Sequence, residues 1–149
     1  MIREANKDDI KILDEYVTNF VRDEAIMYEE NNKSDLIISG YSERRLNDKD
    51  VIIFVDVEDD RIVGFINGSF MRGNSVKKTD EVKIDMLYVI EEYRNKGIGS
   101  KLIDAFVNSC KERGVKYLRI DNFIANEGAS RLYERLGFTP HILERRKKL

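Results

Sequence analysis

Met86-Leu87-Tyr88-Val89-Ile90-Glu91-Glu92-Tyr93-Arg94-Asn95-Lys96-Gly97-Ile98-Gly99-Ser100-Lys101-Leu102-Ile103 joins a strand pattern to a helix pattern at the centre of this 149-residue chain. Its start completes a β-rich run that begins at Glu81. Its end opens a helical pattern, Leu102, Ile103, Phe106, Val107 and Cys110 on one face, that Gly114 stops. Between the two lies Arg94-x-x-Gly97-x-Gly99. The first turn of a helix leaves backbone N–H groups without partners and carries positive partial charge, so an anion binds there readily. Glycine lets the backbone approach a phosphate closely and adopt positive φ, while Arg94 and Lys96 add charge. A plain tight turn with solvated basic residues reads the same from these letters alone. The loop has neither the Gly-x-x-x-x-Gly-Lys-Ser/Thr of a nucleoside triphosphate cradle nor the three glycines of the dinucleotide fingerprint. If it holds an anion, that anion is some other pyrophosphate.

Upstream, Ile2-Arg3-Glu4-Ala5 reads as a short opening strand. Leu13, Tyr16, Val17, Phe20 and Val21 recur at helical spacing and predict a helix from about Asp9 to Met27, capped by Asn6 or Asp8. Ser34 opens a second helix to about Leu46. Residues 51–57 and 61–70 are β-rich and flank the polar turn Glu58-Asp59-Asp60, which predicts a hairpin. A polar loop at 72–80 leads into the strand Glu81 to Val89. Beyond Gly114, Val115 to Ile124 reads as a strand and Asn126 begins a short helix that Gly137 ends. Phe138 to Leu149 is expected to add a last strand.

The order is therefore strand, two helices, three strands, helix, strand, helix, strand. Antiparallel pairing of the three central strands, followed by a parallel crossover, predicts an α/β (α+β) fold with a mixed sheet flanked by helices. With no repeat and no Pro- or Ser-rich linker, residues 1–149 read as one domain.

Composition narrows the function classes. A formal charge of -2, with 26 basic and 28 acidic residues interspersed, leaves no basic stripe for nucleic acid. No apolar run reaches the roughly 20 residues of a membrane span, and the charged N-terminus lacks a signal-peptide stretch. The single cysteine, Cys110, lies on the apolar helix face and suits a reducing, cytoplasmic setting.

The quoted stretch resembles the acetyl-coenzyme A motif of the GNAT family of N-acetyltransferases: a strand ending in Val, then Arg/Gln-x-x-Gly-x-Gly/Ala, then an amphipathic helix. Asn126-Glu127-Gly128-Ala129-Ser130-Arg131-Leu132-Tyr133-Glu134-Arg135-Leu136-Gly137-Phe138 is similar to that family's second motif, Asn…Ala…Leu-Tyr-Glu-x-x-Gly-Phe. The resemblance implies acetyl-CoA as acetyl donor, without a metal. It implies that the loop Arg94, Asn95, Lys96, Gly97, Ile98, Gly99 and Ser100 holds the pyrophosphate, largely through backbone N–H groups. Leu87 and Val89 would pair with the pantetheine arm, with the Leu87 N–H polarising the thioester carbonyl. Asn126 would touch the pantetheine, and Tyr133 would protonate the departing thiolate. From spacing alone, Asn126 reads equally as a helix N-cap and Tyr133 as a core residue beside Ala129 and Leu136.

Amine attack on a thioester requires a neutral amine, so a proton acceptor is needed. Alternation puts Glu81, Lys83 and Asp85 on one face of their strand, opposite Val82, Ile84, Met86 and Tyr88. Glu81 matches the glutamate of the histone-type members and Asp85 the acidic position of aminoglycoside-type members. Both are candidates, Glu81 ahead because a glutamate stands where the resemblance expects one, and a solvated polar face is the plainer reading of each. Asp23, Glu24, Glu29, Glu30 and Asp35 form an acidic stretch that would attract a cationic amine or simply solvate a helix end. The acceptor is expected to be a small-molecule or peptide amine. A homodimer is compatible with the sequence, and a coenzyme A-binding module without catalysis is the alternative reading.

Overall fold

The computed structural model describes residues 1–149. Strand β1 (Ile2–Glu4) leads through a 3₁₀ turn at Lys7–Asp9 into helix α1 (Ile10–Met27). Helix α2 (Tyr41–Leu46) precedes strands β2 (Val51–Glu58), β3 (Arg61–Met71) and β4 (Glu81–Val89). A 3₁₀ turn at Glu91–Tyr93, helix α3 (Ile98–Glu112), strand β5 (Tyr117–Arg119) and helix α4 (Glu127–Arg135) complete the chain. The strands form one sheet in the order β1-β2-β3-β4-β5, antiparallel except for the parallel β4–β5 pair.

Helices α1 and α3 cover opposite faces of this sheet. On the α1 side, Leu13, Tyr16 and Val17 are buried, and the Tyr16 ring meets that of Tyr88 at 5.3 Å. On the α3 side, Leu102, Ile103 and Phe106 are buried at the spacing their periodicity predicts. Phe106 seats directly against Gly68, where an added Cβ would come within 2.7 Å of the ring and 2.5 Å of the Lys83 carbonyl. Gly68→Ala is therefore expected to destabilise the fold by about 1–3 kcal/mol, the usual range for overpacking. Urea unfolding should show the lowered midpoint. Cys110 belongs to the same core, and burial pushes its thiol up to about 11, so it packs rather than reacts.

Four expectations are corrected. The second helix begins at Tyr41 rather than near Ser34, because Gly40 sits at φ +72°, outside the right-handed helical region. Polar groups of α1 bind the segment before it instead. Asp14 accepts from the amides of Gly40 and Ser42, each at 2.8 Å, and Thr18 Oγ1 accepts from that of Ile38 at 3.0 Å. The strand expected at 115–124 is only Tyr117–Arg119, paired with Glu81–Lys83, before the chain diverges from β4. Residues 139–149 form no strand and lie exposed, since a charged tail with little apolar alternation has no face to bury.

The fourth correction concerns β4. Asn67 pairs with Met86 but Gly68 pairs with Ile84, so Asp85 is the extra residue of a β-bulge. An inserted residue reverses the faces beyond it. Val82 and Ile84 point to α3 as expected, while Tyr88 turns to α1 and Val89 to α3 beside Leu102.

Candidate active site

The bulge and the short β5 together open a cleft. Beyond Lys83, β4 has no strand on the side away from β3, and its exposed edge forms one wall of a cavity of about 520 Å³. Phe20 and Glu24 of α1, the loop 93–100, residues 120–123 and the face of α4 form the rest of the lining.

At one end lies the glycine loop. Asn95 (φ +59°) and Gly97 (φ +79°) both take left-handed backbone, and nothing lies within 4 Å of where a Gly97 Cβ would stand. Helix α3 starts immediately afterwards, and the first amide of this segment to find an acceptor is that of Lys101, on Gly97 O at 3.1 Å. The amides from Asn95 to Ser100 reach no protein carbonyl or side chain, which leaves a concave run of donors at a positive helix end. That is the arrangement a pyrophosphate fits.

The side chains around this loop divide by role. Arg94 turns back beneath it, with Nε donating to Val89 O at 2.8 Å and Nη2 lying 3.8 Å from Asp23. It braces the strand-to-helix turn, while Lys96 lies over the Tyr93 ring at 4.9 Å. Two cations with no role assigned from the sequence, Arg131 and Arg135, line the cleft from α4; Arg135 reaches Ser100 Oγ at 3.4 Å, and Arg131 lies 3.6 Å from Glu127. The signal was present: the two stand four residues apart, on one helix face, within the second motif.

Along the wall, Leu87 and Val89 line the cleft on the unpaired edge of β4, opposite their β3 partners Ile66 and Gly64. Asn126 caps α4 by accepting from the Ala129 amide at 3.2 Å, and it also faces the cleft, so both readings of it hold geometrically. Tyr133 projects from α4 into the same space. Its ring rests edge-on against Phe138 at 6.0 Å, and its hydroxyl makes no protein hydrogen bond. Burial pushes the phenol up to about 12, and the carboxylates of Asp121 and Glu24 add to the shift, so the group stays protonated across the physiological range.

The two acids expected to share a face do so, on the side of Ser69 and Lys83, but they stand at different places along β4. Asp85, at the bulge, lines the cleft, and its Oδ2 accepts from Arg45 at 2.5 Å and Ser69 Oγ at 2.7 Å. Glu81, at the start of β4, lies outside the lining, 3.5 Å from Lys77 and 3.7 Å from Arg119. Two acids that alternation could not find, Glu24 on α1 and Asp121 beyond β5, do enter the cleft, and Asp121 pairs with Lys83 at 2.8 Å.

The free amides at the start of α3, the open edge of β4 and the protonated Tyr133 hydroxyl thus line one continuous cleft. The model of the acetyltransferase (GNAT) family matches residues 12–138, and the chain belongs to that family. Among curated relatives, N-alpha-acetyltransferase 30 of Schizosaccharomyces pombe is 34% identical over 87 residues, 57% of this chain and 55% of that protein. The chain spans between 29% and 55% of the length of the curated relatives it matches. Among solved structures, a mutant BH1408 protein from Bacillus halodurans superposes with a TM-score of 0.89 at 19% identity, covering 100% of this chain and 99% of that one. Ribosomal-protein-alanine N-acetyltransferase from Brucella melitensis biovar Abortus superposes at 0.75 with 20% identity, covering 100% and 98%. No helix is long and apolar enough to cross a membrane.

Proposed function

We propose that the cleft binds acetyl-CoA and transfers its acetyl group to a primary amine of a small molecule or peptide by direct attack on the thioester. The observation that carries this reading is the run of free amides from Asn95 to Ser100, continuous through the open edge of β4 with the Tyr133 hydroxyl. The amides, with Arg131 and Arg135, take the pyrophosphate. The edge at Leu87 and Val89 takes the pantetheine amides as a strand would, and it directs the thioester toward Tyr133. Asn126 borders that path. Tyr133, neutral and desolvated, supplies the proton to the departing thiolate. Family membership and the N-alpha-acetyltransferase names of curated relatives support an amine acceptor.

Of the acids on β4, the geometry favours Asp85 over Glu81 for meeting the acceptor. Arg45 and Ser69 occupy Oδ2 and hold the carboxylate in place, while Oδ1 has no protein partner and is available to an ammonium group. A charge-assisted hydrogen bond of that kind contributes about 1.5–3 kcal/mol. Asp85→Asn is expected to raise KM for the amine by about tenfold or more, and Glu81→Gln to leave kcat/KM within about twofold.

Thiol release from acetyl-CoA across a panel of peptide N-terminal amines and small cationic amines tests the reading. Turnover with at least one amine supports it. Micromolar cofactor binding with no turnover on any amine would instead make the chain a coenzyme A-binding module.

A further inference from the structure

We propose that Glu24, in the last turn of α1, is a further catalytic residue of this site: its carboxylate takes the proton that the acceptor ammonium must lose before it can attack. The proposal rests on the reading of the cleft as an N-acetyltransferase site.

The acids of this region are otherwise engaged. Asp23 lies 3.8 Å from Arg94, Glu29 is 2.5 Å from Arg146, Glu30 is 3.4 Å from Lys148 and Asp121 is 2.8 Å from Lys83. Asp85 is held by Arg45 and Ser69. Glu24 alone among them makes neither an ion pair nor a side-chain hydrogen bond, although it is half-buried and lines the cleft. A carboxylate drawn partly out of water without a partner costs stability. Its neighbours Asp23 and Ile26 have no such constraint, and Ile26 is 71% exposed.

The surroundings suit a proton acceptor. Burial raises the proton affinity of Glu24 above the ordinary carboxylate value, and the negative charge of Asp121 raises it further. The other titratable or charged groups lining the cleft are Asp85, Tyr93, Arg94, Arg131, Tyr133 and Arg135, with Asp23 beside Glu24 on α1. Glu24 and Tyr133 influence one another across the cleft, since the Glu24 charge helps to keep the phenol protonated. One group is left able to take a proton and the other able to give one, the division a thioester aminolysis needs.

An ammonium N–H bond breaks and its proton passes, directly or through one water, to a Glu24 carboxylate oxygen, leaving a neutral amine. The amine lone pair forms the C–N bond as the carbonyl π pair moves to oxygen. Collapse breaks the C–S bond, and sulfur keeps the pair and takes the Tyr133 hydroxyl proton. The proton left on nitrogen returns to the Tyr133 oxygen, and Glu24 releases its own to solvent.

Glu24→Gln and Glu24→Asp, assayed over pH with an amine the wild type acetylates, test this. A raised carboxyl loses its basic form as pH falls through that raised value, so the wild-type kcat profile should fall on its acidic side above the 4.5 of an unperturbed glutamate. Glu24→Gln should lower kcat by about 100-fold, near the lower bound for losing one general base, and abolish that acidic limb. Acetyl-CoA affinity should stay within about twofold, and Glu24→Asp should recover part of the rate and keep a shifted limb. A kcat within about threefold of wild type, or an acidic limb unmoved in both variants, would overturn the role. If the wild type turns over no amine, it is the acetyltransferase reading that falls, and this assignment falls with it.

Discussion

Replacing Gly97 with glutamate is expected to weaken acetyl-CoA binding by about 100-fold or more while leaving the protein folded. Gly97 stands at φ +79°, and its missing Cβ opens onto space with no atom within 4 Å. A side chain there meets no clash, so the folded state bears only the left-handed backbone strain of a non-glycine residue, about 1–2 kcal/mol. The ligand site loses far more. A carboxylate placed among the free amides of Asn95 to Ser100 competes with the pyrophosphate for those donors and repels it. A 100-fold loss corresponds to about 2.7 kcal/mol. Gly97→Ala separates the two effects: it carries the same strain without the charge and should keep most of the affinity. Calorimetric titration of the folded variants reads the outcome directly. A glutamate variant that binds within threefold of wild type would remove the anion-cradle assignment.

Tyr133→Phe should lower kcat by about 100-fold with acetyl-CoA affinity unchanged. The substitution deletes one hydroxyl that makes no protein hydrogen bond and keeps the ring that packs edge-on against Phe138. Stability should therefore move little. In the proposed reaction the departing thiolate takes the proton that the phenol holds up to about 12, and phenylalanine has none to give. Removing one positioned acid commonly costs 10²–10⁴-fold. A rate equal to wild type would return Tyr133 to a packing role, while an equal loss in cofactor affinity would make it a binding residue.

Much of this arrangement is legible in the letters. Leu102, Ile103, Phe106 and Cys110 announce helix α3 because their period is local, and Gly97 with Gly99 marks where the strand hands over to it. The Asn126–Phe138 motif fixes α4 for the same reason. What stayed hidden depends on tertiary contacts. Asp14 captures the Gly40 and Ser42 amides from another helix, so no local rule could foresee that α2 starts at Tyr41. The bulge at Asp85 is a property of a strand pair, visible only once Asn67 and Gly68 are set opposite Met86 and Ile84. A strict alternation therefore set Met86 and Tyr88 opposite Glu81, and although Glu81 and Asp85 do share a face, it could not foresee that only Asp85 reaches the cleft while Glu81 meets Lys77 and Arg119. Glu24 and Asp121 lie nearly a hundred residues apart on a helix and a loop, and only folding brings both to Tyr133.

In the proposed reaction one cleft carries the donor from the glycine loop to Tyr133. A crystal structure with acetyl-CoA bound tests it most directly. The pyrophosphate is expected on the amides between Asn95 and Ser100, the pantetheine along β4 at Leu87 and Val89, and the sulfur within hydrogen-bonding reach of the Tyr133 hydroxyl. A pyrophosphate seated away from that loop, or a sulfur turned away from Tyr133, would contradict it.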